Sequence, residues 1–196
     1  MVSQDYHILA QFTPASLDRP RPRLYGHSLA RYLFELAFMV IAIYTLVNLL
    51  SVRFLVDGVS MSPSFESGQS LFVNRLDYLF GTPQYGDIVV FHNPSNTAED
   101  YIKRIIGLPG DVIEIRDTIL YRNGAPIIET YVAEPCTPHS CPDNRWELGD
   151  NEYFVLGDNR NHSSDSRLFG PIHHSLLVGK VVFRYWPLSD IGIINR

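Results

Sequence analysis

The sequence lacks an excess of positive charge. Its 16 Lys and Arg stand against 21 Asp and Glu, a formal net charge of -5, which argues against nucleic acid as a partner. Metal-binding His spacing beside paired carboxylates is also missing, so a metallopeptidase is not indicated and no metal is expected. Low-complexity runs are absent, and plentiful aromatic and β-branched residues suit a folded, strand-rich chain. Cysteine is scarce, with only Cys136 and Cys141, in the Pro-rich "EPCTPHSCPDN". A zinc site there would have His139 as its third nearby ligand and no second pair. A short-range disulfide suits an exported domain, and two free thiols stay open.

Long apolar runs are lacking too, with one exception. "YLFELAFMVIAIYTLVNLLSV", residues 32–52, carries Glu35 as its one charge and has the length of a bilayer-spanning helix. It shows almost no polar stripe, unlike a core helix of a soluble protein. Residues 1–31 hold Arg19, Arg21, Arg23 and Arg31 against Asp5 and Asp18, a balance of +2, which leaves -7 for the remainder. Positive charge before the span, with only Arg53 just after it, predicts a cytoplasmic N-terminus and an exported remainder. A cleaved signal peptide fits poorly, because the run is long, starts late and ends without a small-x-small site. Three parts follow: a cytoplasmic segment 1–31, a transmembrane anchor 32–52 and an exported domain 53–196.

After the anchor no long amphipathic helical segment appears. Eight short segments, from "RFLVDGV" to "GKVVFRYW", read instead as strands bounded by Gly, Pro, Asn or Asp. The expected fold is therefore all-β, an antiparallel β-sheet domain behind a single N-terminal transmembrane helix. Asn123-Gly124 suits a tight turn and predicts a hairpin over 118–128. Residues 129–150 lack strand pattern and read as a long excursion.

"DYIKRIIG", Asp100–Gly107, sets two cations side by side on a predicted strand. Alternation puts Tyr101, Lys103 and Ile105 on one face and Ile102, Arg104 and Ile106 on the other. A Lys held among apolar neighbours loses the stability of its charge and becomes a usable base, which Arg cannot do. Lys103 is thus expected to face inward, and Arg104 to face outward or find a carboxylate. A nucleophile for such a base is available in "DGVSMSPSF", where Ser60 lies just past the membrane. A third segment, "GDNRNHSSDSRLFG", crowds Asp, Asn, Arg and Ser into residues 157–170. "GVSMS" is not a G-x-S-x-G elbow, and nothing selects one of the seven His for a triad.

"SMSPSF", "GDIVVF", "YIKRIIGLPGD" and "GDNRNHSSDSR", in this order, resemble the boxes of bacterial type I signal peptidases (leader peptidases), which are membrane-anchored Ser–Lys proteases. The resemblance implies that Ser60 attacks the scissile carbonyl and Lys103 accepts its proton. It implies that Ser163 orients the Lys103 amine, that Asp165 and Arg167 form an ion pair, and that Gly157, Asp158 and Asn159 shape the turn supporting Ser163. Val56, Met61, Tyr101 and Ile102 would line shallow apolar pockets, and the Ser60 N–H would serve the oxyanion. Gly58 stands where some members carry a Ser that helps the oxyanion hole, and Ser64 where Thr is often seen. The implied substrates are preproteins with A-x-A-like signal peptides, met at the membrane lipid surface and bound along a strand edge near Asp57 or Asp100. No cofactor is implied. A specialised processing peptidase of the same chemistry, for a pilin or a conjugation component, and a non-catalytic membrane-anchored binding module are the alternative readings.

Overall fold

The computed structural model describes residues 29–195. The chain divides into two units, at Ile41/Ala42. The cytoplasmic assignment of residues 1–28, with Arg19, Arg21 and Arg23, lies outside the described residues.

Helix α1 runs Leu29–Leu50, without Gly or Pro to interrupt it. Its 20-residue stretch Leu29–Asn48 is long and apolar enough to cross a membrane. Large apolar side chains on this stretch are exposed all round the helix, as expected of a segment whose solvent is not water. Its charges sit together near its start, with Arg31 Nε donating to Glu35 Oε1 at 2.9 Å. Helix is already present at Leu29, the first described residue, and it stops two residues short of Val52, because Ser51 already starts a strand.

Twelve strands follow: β1 Ser51–Leu55, β2 Ser70–Asn74, β3 Ile88–Asn93, β4 Asn96–Gly107, β5 Val112–Arg116, β6 Ile119–Arg122, β7 Ala125–Pro126, β8 Asn144–Glu147, β9 Glu152–Leu156, β10 Ile172–His173, β11 Leu177–Trp186 and β12 Gly192–Ile193. Two short helices, α2 Leu76–Phe80 and α3 Ser166–Phe169, interrupt them. An eight-stranded sheet has the order β1-β2-β11-β3-β4-β9-β10, with β12 on β11, and a four-stranded sheet has the order β7-β6-β5-β8. Every pairing is antiparallel, so the expected all-β class stands.

The large sheet is covered on both faces at its centre. Ile88 and Val90 of β3 join one core cluster with Val56, Met61, Phe65 and Ile102. Val89 and Phe91, on the opposite face, join another with Ile105, Tyr153 and Ile172. Strand β4 is accordingly buried without a break from Ile102 to Gly107. Arg104 therefore does not face outward; of the two expected outcomes, it takes the carboxylate.

The hairpin at Asn123-Gly124 forms, both residues having positive φ, and joins β6 to β7. A second tight turn at Asp117-Thr118, also with positive φ, joins β5 to β6 without the Asn-Gly signature. Residues 129–150 are not irregular throughout. Strand β8 pairs with β5 there, setting Trp146 against Phe154 with ring centroids 4.7 Å apart. "NRWE" shows no apolar alternation because only Trp146 turns inward.

Candidate active site

Ser60 sits in a turn that leaves β1 through Gly58, whose φ of +95° is a conformation that favours glycine. Ser62 N donates to Val59 O at 3.1 Å and Phe65 N to Met61 O at 2.9 Å, closing the turn. Met61 and Phe65, each 1 % exposed, plug it into the core. Ser60 O accepts from Asn159 N at 3.1 Å, which ties the turn to the segment after β9.

Lys103 comes from β4, where its neighbours Val89 and Ile105 are fully buried. Its Nζ donates to Ser60 Oγ at 2.8 Å and to Ile102 O at 2.9 Å. Burial pushes the ammonium down to about 8, outweighing Asp165 and Asp158, which favour the proton; Arg167 adds a smaller downward push. No carboxylate forms an ion pair with Lys103 among the described residues. An amine in this state exchanges a proton with an adjacent hydroxyl near neutral pH.

The last box supplies the surroundings. Asp165 is fully buried and takes both Nε and Nη2 of Arg167, at 2.8 and 2.7 Å. It also accepts from Gly157 N at 3.0 Å and caps α3. Asp158 takes Nε and Nη2 of Arg104 at 2.9 and 2.7 Å, and the Ser64 hydroxyl at 2.5 Å. The second cation of "YIKR" is thus locked to the turn that faces Ser60. Ser163 departs from expectation. Its Oγ is buried without a hydrogen-bond partner among the described residues, because the hydrogen bonds of Lys103 Nζ go to Ser60 and Ile102. It lies against the Cα of Gly157, where a Cβ would come within 2.2 Å of it.

A cleft of about 520 Å³ opens beside the pair. Tyr101 and Ile102 line it with Gly58 and Val59, and Asp57 and Asp100 stand at its walls. Val56 and Met61 do not line it; they lie in the core cluster with Ile102, 2 % and 1 % exposed.

Other participants escaped the sequence reading. Arg160 donates with both Nη to the Glu129 carboxylate at 2.5 Å each, and its Nε reaches Gly157 O at 3.1 Å. Tyr131 OH donates to Glu129 at 2.5 Å, and its ring lies 3.9 Å from the guanidinium carbon of Arg104. Cys136 and Cys141 form a disulfide, with Arg167 Nη1 reaching Ser140 O between them at 2.9 Å. Nothing in the spacing of the excursion marks Glu129 or Tyr131; a lone Glu-x-Tyr carries no local signal.

Known proteins similar to this chain point to one family. The profile of the family described as "Signal peptidase, peptidase S26" matches residues 29–186. The "Signal peptidase I" of Bacillus caldolyticus is 42% identical over 154 residues, 71% of this chain and 82% of that protein. The "Probable signal peptidase I-1" of Synechocystis sp. is 39% identical over 140 residues, 68% of this chain and 70% of that protein. "Signal peptidase IB" of Staphylococcus aureus is 33% identical over 178 residues, 83% of this chain and 92% of that protein. A match running from α1 through the Ser60 turn, β4 and the last box to the end of β11 leaves one assignment: the chain belongs to the signal peptidase family, peptidase S26.

Proposed function

We propose that this chain is a membrane-anchored serine endopeptidase that removes N-terminal signal peptides from exported preproteins with a Ser60–Lys103 dyad. The observation that carries the reading is the 2.8 Å contact between Lys103 Nζ and Ser60 Oγ at a buried, unpaired amine. In the neutral state the amine accepts the Ser60 proton while Oγ attacks the scissile carbonyl. The oxyanion takes the Ser60 N–H; Gly58 has no side chain to add a second donor. Collapse of the tetrahedral intermediate passes the proton from Lys103 to the leaving amine. Water, deprotonated by Lys103, then releases the acyl group from Ser60.

The substrate lies extended along the cleft between the Asp57 and Asp100 walls, and Tyr101, Ile102 and Val59 select small side chains of the A-x-A type. Asp165, Arg167, Asp158 and Asn159 support the dyad, and Ser163 packs against Gly157. Helix α1 holds the domain at the bilayer surface, where a tethered preprotein presents its cleavage site. The Arg cluster before the span supports a cytoplasmic N-terminus with residues 53–196 outside.

The test is cleavage of a preprotein with an A-x-A site by the full chain in detergent micelles. Ser60→Ala and Lys103→Ala are each expected to abolish cleavage while the fold persists. Unchanged cleavage by either variant overturns the dyad.

A further inference from the structure

The dyad is held from behind by a closed ring of buried groups that begins and ends in the last box. From Asp158 the ring passes to Arg104 through a two-pronged ion pair, and from Arg104 to the Tyr131 ring stacked on it. Tyr131 OH then leads to Glu129, Glu129 to Arg160, and Arg160 Nε back to Gly157 O, one residue before Asp158. Glu129 and Arg160 side chains are 9 % and 5 % exposed, and those of Asp158 and Arg104 0 % and 4 %. Arg104 is the chain neighbour of Lys103, and Asn159 N holds Ser60 O. The ring therefore grips both members of the dyad through adjacent backbone.

We propose that Tyr131, tethered by Glu129, is a positioning residue for the reaction: it holds Arg104 flat on Asp158 and so keeps that carboxylate from serving Lys103. The proposal rests on the dyad reading above. Stacking on an aromatic face fixes the plane of a guanidinium, and a two-pronged ion pair needs that plane. If Arg104 is freed to rock, Asp158 is less fully neutralised. The charged groups that face Lys103 are Asp158, Asp165 and Arg167 in the last box, with Arg53, Asp57, Asp100 and His162 around the cleft. Of these, Asp158 is the one whose charge the ring controls, and it favours the protonated amine.

The experiment follows Lys103 directly. The full chain in micelles is trace-acetylated with acetic anhydride across pH, and labelling of Lys103 is read by mass spectrometry for the parent, Tyr131→Leu and Tyr131→Phe. Tyr131→Leu removes the ring and is expected to move the Lys103 midpoint up by about 0.5 in pH. Its kcat on a preprotein at pH 7 should fall about threefold or more at unchanged KM, since less amine is neutral. Tyr131→Phe keeps the ring over Arg104 but loses the Glu129 tether, so both values should fall between those of the parent and of Tyr131→Leu. A folded Tyr131→Leu variant with the parent's midpoint overturns the proposal, whether its rate is unchanged or lowered, because packing alone lowers a rate without moving that midpoint. Should Tyr131→Leu not fold, Glu129→Gln loosens the tether and leaves the ring in place. It is expected to raise the midpoint, and an unmoved midpoint in the folded variant is equally fatal. Labelling needs no cleavage, so a parent that fails to cut preproteins counts against the dyad reading alone.

Discussion

Gly157→Ala is the most local way to break the site without touching its chemistry. A Cβ on residue 157 would lie 2.2 Å from Ser163 Oγ, 2.6 Å from Ser163 Cβ and 2.4 Å from the carbonyl oxygen of Ser60. Non-bonded carbon contacts settle near 3.5 Å, so each neighbour must retreat by roughly 1 Å. Ser163 can yield, since its hydroxyl has no hydrogen bond to lose. Ser60 cannot yield alone. Its carbonyl holds Asn159 N, and the flanking turn is pinned by Met61 and Phe65 in the core. Moving that peptide carries Oγ away from the 2.8 Å contact with Lys103. A displacement of about 1 Å at reacting atoms costs on the order of 100-fold in rate, and overpacking costs about 1–3 kcal/mol of stability. The assay is kcat/KM for preprotein cleavage, paired with denaturant unfolding of the full chain in micelles. Adding Ser163→Ala removes the Oγ clash but leaves that with the Ser60 carbonyl, so it should restore little. If Gly157→Ala keeps cleavage within about threefold of the parent, the backbone has room that this reasoning denies.

Three further outcomes follow from Lys103 and from the disulfide. Activity should rise with pH along a single limb with its midpoint near 8, where Lys103 loses its proton, and not near the 10.5 of a solvated lysine. The same depression sets a stability slope: between about 8 and 10.5 the unfolded chain binds a proton that the folded chain does not, so stability rises with pH across that window. Full relief is on the order of 3 kcal/mol, and Lys103→Met, measured beside the parent, should lose the slope. Replacing Cys136 and Cys141 together by Ser opens a loop with a sequence separation of 5. That is expected to lower unfolding stability by about 2 kcal/mol, and an unfolding curve that coincides with the parent's would show that Arg167 and Asn161 hold the loop unaided.

What could be read in the sequence was what local pattern encodes. Alternation placed Lys103 with Tyr101 and Ile105, the run of apolar residues marked α1, and Asn123-Gly124 marked its hairpin. The order of the boxes joined Ser60 to Lys103 across 43 positions, a separation that periodicity cannot bridge. The rest depended on contacts with no local trace. Arg104 reads as a surface cation on any half-buried strand; its burial follows from Asp158, 54 residues away, and from Tyr131 in a stretch without pattern. Strand β8 was hidden because an edge strand facing water on one side needs only Trp146 to hold it. Asp117-Thr118 turns without glycine, so no turn signature marked it.

The two adjacent cations of β4 are handled by opposite means, and the difference explains why the charged form of one of them is disfavoured. A buried carboxylate close to Lys103 favours its protonated form. Two such carboxylates are present, Asp158 and Asp165, both essentially without solvent exposure. Each is already engaged by both prongs of an arginine, Arg104 and Arg167, whose guanidinium stays charged in proteins. The carboxylates thus shape the backbone at Gly157 and Ser60, and although both still favour the protonated Lys103, burial outweighs them. Arg104 is therefore not a burden that the strand tolerates beside its lysine. It engages both oxygens of Asp158, and desolvation, the largest influence on Lys103, favours the neutral amine.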